Sequence, residues 1–194
     1  MMERDKRIVA DLERFRVLTR DDIVDLHFGG MKYPVADANK VLLRLVQQKR
    51  VAVSKERRMY HYFPLPSIKR DSTKIPHYLA IAGFYRELRK HAEPKQFIVE
   101  PKLGGKGLPE PDAFAIWMGR AIYIEIQRSV YSVKQWRDKY NRYEAYHLSD
   151  LWKRGNISRF PMVWIIGKTN LPDEGRPPFM FSDTVPEMLV RFGK

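Results

Sequence analysis

Two carboxylates and an amide stand where a hard cation could be held. They are Asp112, Glu125 and Gln127, within Pro111-Asp112-Ala113-Phe114-Ala115-Ile116-Trp117-Met118-Gly119-Arg120-Ala121-Ile122-Tyr123-Ile124-Glu125-Ile126-Gln127. Apolar residues alternate on both sides of Gly119-Arg120, the pattern of two strands joined by a two-residue turn. With Gly119 and Arg120 as the turn, Met118 faces Ala121, Phe114 faces Glu125 and Asp112 faces Gln127. Side chains alternate with period two, so Asp112, Glu125 and Gln127 share one face. Converging acids beside an amide suit a divalent cation such as Mg2+ or Mn2+, which takes oxygen ligands. A surface hairpin whose acids are simply solvated accounts for the same spacing.

Such a hairpin needs elements to hold it. The stretch from His77 to about His91 reads as a helix, with Ile81, Phe84 and Leu88 on one side and Glu87 at the edge of that stripe. Gln96 to Glu100 is a strand candidate. Between it and the hairpin lies Lys102-Leu103-Gly104-Gly105-Lys106-Gly107, a basic loop without the spacing of a nucleotide cradle. Lys102 and Lys106 are there as contacts to backbone phosphate. After the hairpin, an amphipathic helix is expected from about Ser132 to Trp152, with Lys139 and Tyr143 one turn apart on one face. Its aromatic residues Trp136, Tyr140, Tyr143, Tyr146 and Trp152 serve either as core or as stacking partners for unpaired bases. Phe160 to Gly167 is almost wholly apolar, as a central buried strand should be. A short helix from Thr184 or Val185 to Phe192 closes the chain.

The first sixty residues have a different character. Ile8, Val9, Leu12 and Phe15 recur at helical spacing, and Thr19 before Arg20-Asp21-Asp22 is a good N-cap for a short second helix ending at Gly29-Gly30. A third helix from about Val35 to Gln48 buries Ala38, Val41, Leu42, Leu45 and Val46. Its other face presents Asn39, Lys40, Arg44 and Gln47. Two short strand-like runs follow around a charged turn, from Arg50 through Lys55, Arg57 and Arg58 to Phe63. Three helices followed by a basic hairpin resemble a winged helix-turn-helix. That layout sends the third helix's amides and cations to base edges and the wing's cations to phosphate. Winged helices also dock proteins or dimerise. The expected boundaries are a winged helix over 1–63, a proline-rich linker over 64–76 and a second domain over 77–194.

Composition narrows the partners. The chain carries 36 Lys and Arg against 23 Asp and Glu, a net +13. The excess is +7 over residues 1–76 and +6 over 77–194, so basicity belongs to both halves. A polyanion, most simply duplex DNA, is the partner that fits. There is no cysteine, which excludes disulfides, thiolate zinc sites and cysteine nucleophiles. A charged N-terminus and no long apolar run argue against a membrane partner and for a cytoplasmic location. The five histidines have no zinc-type spacing.

The order helix, strand, strand, strand, helix, strand resembles the core of the PD-(D/E)xK, or restriction-endonuclease-like, fold. The whole expectation is thus an α+β or α/β chain, a winged helix followed by an αβββαβ domain. The resemblance implies that Asp112 and Glu125 hold one or two Mg2+ ions, with a further acid from Glu87 or, in its place, Glu100. It also implies a lysine two positions beyond the glutamate, where this chain has Gln127. Some relatives place a Gln-x-x-x-Tyr pair on the following helix, and Lys139-x-x-x-Tyr143 is similar to it, so Lys139 is a candidate to supply the missing charge.

Nearly the full length resembles the replication-relaxation proteins of bacterial plasmids and other mobile elements. The resemblance rests on the winged helix, His77-Tyr78-Leu79, Pro111-Asp112-Ala113, Tyr123-Ile124-Glu125-Ile126-Gln127 and Lys139-Tyr140-x-x-Tyr143. That family commonly has Glu-x-Asp where this chain has Glu125-Ile126-Gln127. It implies a DNA-binding protein acting in plasmid replication, relaxation or transfer, with a second copy or replication and relaxosome proteins as further partners. Two roles follow from it: a Mg-dependent endonuclease or nickase, or a catalytically inactive nuclease-fold accessory factor or transcriptional regulator.

Overall fold

The computed structural model describes residues 2–55, 59–155, 157–167 and 177–193. Among them the chain is a mixed α+β protein with six α-helices and two sheets. It divides into two compact units, Met1–Arg86 and Glu87–Lys194. Among the described residues, no helix is long and apolar enough to cross a membrane.

The N-terminal unit begins with α1 (Glu3–Phe15), α2 (Arg20–His27) and α3 (Pro34–Gln47). Burial follows the helical spacing: Ile8, Leu12 and Phe15 of α1, Ile23 of α2, and Ala38, Leu42 and Leu45 of α3 are all fully buried. Val41 and Val46 are only half-buried. Thr19 caps α2 reciprocally. The Asp22 N–H donates to its hydroxyl at 3.1 Å, and its own N–H donates to the Asp22 carboxylate at 2.8 Å. Pro34 opens α3 at a position where a missing N–H costs nothing. Strands β1 (Leu18–Thr19), β2 (Ala52–Ser54) and β3 (His61–Phe63) form an antiparallel sheet in the order β1-β3-β2. A fourth helix, α4 (Ile75–His91), contains the boundary between the units.

The C-terminal unit is built on a five-stranded sheet. Its strands are β4 (Gln96–Val99), β5 (Ala113–Trp117), β6 (Arg120–Ile126), β7 (Met162–Ile166) and β8 (Phe179–Ser182), side by side in that order. The β4-β5-β6 meander is antiparallel, while β6-β7 and β7-β8 are parallel. A parallel pair needs a long crossover, and α5 (Val133–Leu148) supplies it between β6 and β7. Strand β7 lies between β6 and β8, which explains its apolar sequence. Strand β8 has no counterpart among the sequence expectations. The helix α6 (Val185–Arg191) ends the description.

The hairpin turn differs from expectation. Ile116 pairs with Ala121 and Trp117 with Arg120, so the turn is Met118-Gly119 rather than Gly119-Arg120. Both residues have positive φ, 48° and 77°, as a tight hairpin turn of matching twist requires. Placing the glycine second lets it take the more demanding of the two positions. The register moves by two residues, so each side chain keeps its face. One step beyond the pair Ala113–Ile124, Asp112 now comes opposite Glu125 instead of Gln127.

That face of the sheet is covered by the aromatic stripe of α5. Trp136, Tyr140, Tyr143 and Tyr146 are buried against Phe114, Tyr123, Val163 and Phe179, with Trp152 in the same cluster. These rings are core and leave no face for a base. The helix stops at Leu148, before the expected Trp152, and a 3-10 turn over Leu151–Gly155 follows. The Trp152 indole donates to the His147 carbonyl at 3.0 Å, which holds that turn in place. On the other face, Trp117 stacks on Trp164, 6.1 Å between ring centroids, and donates from its indole to the Ala92 carbonyl at 2.9 Å.

Candidate functional site

The carboxylate of Glu125 is almost completely buried, with the residue 2% exposed. Strand β6 points it at α5, where Lys139 and Tyr143 meet it. The Lys139 ammonium donates to Oε2, and the Tyr143 hydroxyl donates to Oε1 at 2.7 Å. Spacing of one helical turn lets both residues of α5 reach the same group. The ring of Tyr131 lies 5.2 Å from the Lys139 ammonium on another side.

Asp112 sits at the mouth of β5. Its Oδ2 accepts from the Ile126 N–H at 2.6 Å, and its carbonyl accepts from the Glu100 N–H at 2.9 Å. Burial raises its pKa, the Ile126 N–H and Lys139 oppose that, and the charge of Glu100 adds to it. Burial likewise raises the Glu125 carboxyl, with Lys139 opposing, Asp112 adding, and the hydrogen bonds from Lys139 and Tyr143 opposing. Burial alone would lower Lys139, but the charge of Glu125 leads a set of interactions that outweigh it, so its pKa is raised and it stays protonated. Burial and then the Glu125 charge hold the Tyr143 phenol well above its usual value, which keeps it a donor. Two mutually repelling carboxylates, Asp112 and Glu125, thus share the Lys139 ammonium. Burial thus disfavours ionising both acids at once, and a cation would favour it.

Gln127 adds a second unmet demand. It is 9% exposed, and neither its amide nitrogen nor its amide oxygen has a hydrogen-bond partner in the protein. A buried polar group left so costs roughly 1–3 kcal/mol, which a bound water or ligand would remove. Its backbone N–H continues the ladder to the Ile166 carbonyl at 2.9 Å. Gly167 closes over it: a Cβ there would come within 2.6 Å of the Gln127 carbonyl.

These residues fit a hard divalent cation. Asp112 and Glu125 offer the carboxylate oxygens that such a cation takes, and the amide of Gln127 has no partner in the protein. Among the described residues, no group of three or more His, Asp or Glu is close enough to grip a metal by itself. A cation here would rest on Asp112 and Glu125 and complete its shell with water or phosphate oxygen, which is how Mg2+ is commonly bound.

The remaining candidates scatter. Glu87 is engaged by Lys90 at 2.7 Å and His91 at 3.9 Å along α4. Glu100 is the acid whose charge acts on Asp112. A small cleft of about 210 Å³ opens beside Glu125, Lys139 and Tyr143, with Glu110, Asp138 and Arg142 at its rim. The sequence carried no signal for these last three, because only the fold brings Glu110 to α5. Lys102 and Lys106 lie on the exposed loop after β4.

In the N-terminal unit, Asn39, Lys40 and Gln47 are exposed along α3, and Arg50 and Lys55 are exposed after it. Arg57 and Arg58 lie outside the described residues. Arg44 is already committed: its guanidinium donates to both carboxylate oxygens of Asp5 in α1, at 2.8 and 3.0 Å.

The class that this geometry defines is an α+β protein with a basic helical unit and a buried carboxylate, lysine and tyrosine cluster on a mixed sheet. Comparison with protein-family models, curated proteins and solved structures finds no match for this chain.

Proposed function

We propose that the chain is a DNA-binding protein of the replication-relaxation type, a winged helix joined to a PD-(D/E)xK-like unit that hydrolyses phosphodiester bonds with Mg2+ or Mn2+. The observation that carries the reading is Asp112 one step beyond the Ala113–Ile124 pair, opposite Glu125, with Lys139 and Tyr143 bonded to Glu125 from the crossover helix. Element order supports it as well: α4, β4, β5, β6, α5, β7 follow the sequence expected of that core. The α1-α2-α3 order followed by a β2-β3 hairpin supports the winged helix, and the net +13 supports a polyanion as ligand.

Asp112 and Glu125 would hold the cation, which supplies charge neutralisation at the phosphate and a more acidic water. Lys139 orients Glu125 and adds the positive charge that Gln127 cannot. Tyr143 fixes the other oxygen of Glu125, and the sheet and α5 keep bulk water from the pair. Gln127 positions a water through its unpartnered amide.

Incubation of the full chain with supercoiled and linear DNA, with Mg2+ or Mn2+, tests this. Cleavage that is lost in both Asp112→Asn and Glu125→Gln is the expected result. Cleavage surviving both, or none by the native chain, sinks the catalytic claim. A second reading, a non-catalytic accessory factor or regulator, has its own support in Glu125, whose oxygens are both already engaged. A gel-shift salt titration separates the DNA claim, since phosphate contacts make affinity fall steeply with salt.

A further inference from the structure

The N-terminal unit contains a recess among the elements assigned to DNA contact. Between α3, the start of α2 and strands β2 and β3 lies a cleft of about 500 Å³. That falls within the size range of small-ligand sites. Leu43, Met59 and Tyr60 stand on its wall 61%, 53% and 47% exposed. Single apolar residues at a surface need no explanation, but three around one concavity make a lined recess.

The polar groups of the recess select its occupant. The Lys55 ammonium stands 5.4 Å from the centre of the Tyr60 ring, and the charge of Arg20 acts on the Tyr62 hydroxyl at the cleft wall. Asp21 also lines the cleft and is held by Arg20 at 2.8 Å. Asn39 contributes an exposed amide from α3. Cations at the rim call for an anionic backbone, and the first 76 residues carry +7. A paired base shows only its edge in a groove. A recess walled by ring and aliphatic faces instead takes a base by its flat face.

We infer that this cleft receives an unpaired nucleobase, stacked on Tyr60, with its flanking phosphates on Lys55 and Arg20 and its edge toward Asn39. The inference rests on the reading of this unit as nucleic-acid-binding and requires no nuclease activity. It makes the preferred DNA a duplex with an opened or extruded position rather than a continuous one.

Fluorescence anisotropy with the full chain tests it, using a labelled duplex that is fully paired and the same duplex with one unpaired thymine. The expected result is binding about tenfold tighter to the unpaired-thymine probe. Tyr60→Ala should abolish that preference while leaving paired-duplex affinity within about twofold, and Tyr60→Phe should retain it because the ring remains. Equal affinity for the two probes, or a preference surviving both Tyr60→Ala and Leu43→Ser, overturns the inference and leaves duplex binding standing. Binding to neither probe overturns both. A dimer, seen by sedimentation, that Tyr60→Ala and Leu43→Ser dissociate also overturns it, because a second copy would then fill the cleft.

Discussion

Arg44 and Asp5 meet at 2.8 Å in the N-terminal unit with side chains 38% and 4% exposed, whereas Lys139 and Glu125 meet in the C-terminal unit with side chains 22% and 3% exposed. Both pairs join residues far apart in the chain. Both carboxylates are buried, and water reaches the guanidinium of the first pair more than the ammonium of the second. Ionised groups far from solvent are stabilised only by one another, and burying them costs more than a well-packed apolar substitute would. Such a cluster, with Asp112 and an unpartnered Gln127 near it in the chain, is the kind of perturbed group on which the proposed site rests. The aromatic residues show the same division. Trp136, Tyr140, Tyr143 and Tyr146 of α5 are buried in the core, while Tyr60 remains half exposed in an open cleft.

Removing one partner from each pair is the strongest way to break this contrast. Lys139→Met leaves a buried carboxylate uncompensated and should cost about 3–5 kcal/mol. Arg44→Met also strands a buried carboxylate, but water can replace the more exposed guanidinium and Asp5 keeps the Met2 N–H at 3.3 Å, so the loss should be smaller, about 2 kcal/mol. Denaturant unfolding of the two variants measures both. Equal losses would show that the exposure of the cation does not separate the pairs. The double variant Glu125→Gln with Lys139→Met should recover most of the first loss, because no buried charge is then left alone.

The next effect concerns backbone rather than charge. Gly167 has φ 122°, and a Cβ there would lie 2.6 Å from the Gln127 carbonyl, so Gly167→Ala should cost about 2 kcal/mol and disturb the strand end that carries Gln127. Gly30 has φ 79° with open space around its missing side chain, so Gly30→Ala should cost only about 1 kcal/mol from the left-handed backbone. Thermal unfolding checks the order. A reversal would mean that the contact over Gln127 relaxes freely.

Much of this arrangement was legible before any coordinates, and what was not has identifiable reasons. Period-two alternation exposed the hairpin and the shared face of Asp112, Glu125 and Gln127. Helical spacing put Lys139 beside Tyr143. The register was misplaced by two residues because Met118 takes a positive φ, which a methionine does not advertise. Strand β8 is four residues long and carries no alternation that marks it. Helical spacing presents Arg44 as a surface cation because its partner Asp5 lies 39 residues away, a distance that spacing rules do not reach. The open cleft at Tyr60 likewise exists only once α2, α3 and the β2-β3 hairpin are assembled.

Acidity gives a smaller and more selective test. The Asp112 carboxyl has a raised pKa in the folded chain, chiefly through burial. Between the usual carboxylate range and that raised value, the folded state holds a proton that the unfolded state has released. Stability therefore falls as pH rises through that interval, and the loss is complete above it. Asp112→Asn cannot ionise and keeps an oxygen for the Ile126 N–H. In a chelator-containing buffer its stability should match that of the native chain near the unperturbed acid range and exceed it above the raised value. Parallel curves for the two proteins would mean that Asp112 is better solvated than its surroundings indicate.

The smallest change in stability is expected where the proposed ligand contact is greatest. Tyr60 and Leu43 project into the cleft with about half or more of their surface in water, so truncating them removes little packing. Tyr60→Ala and Leu43→Ser should each shift unfolding free energy by no more than about 0.5 kcal/mol. Side chains that contribute so little to the fold are free to contribute to binding, whereas Tyr143, fully buried against Phe179 and bonded to Glu125, is not. Tyr143→Phe should accordingly cost more than Tyr60→Ala although it deletes one oxygen rather than a ring, because it leaves a buried Glu125 oxygen without its donor. If Tyr60→Ala proves the more damaging of the two, its ring belongs to the core of the N-terminal unit, and the cleft beside it is not an open site.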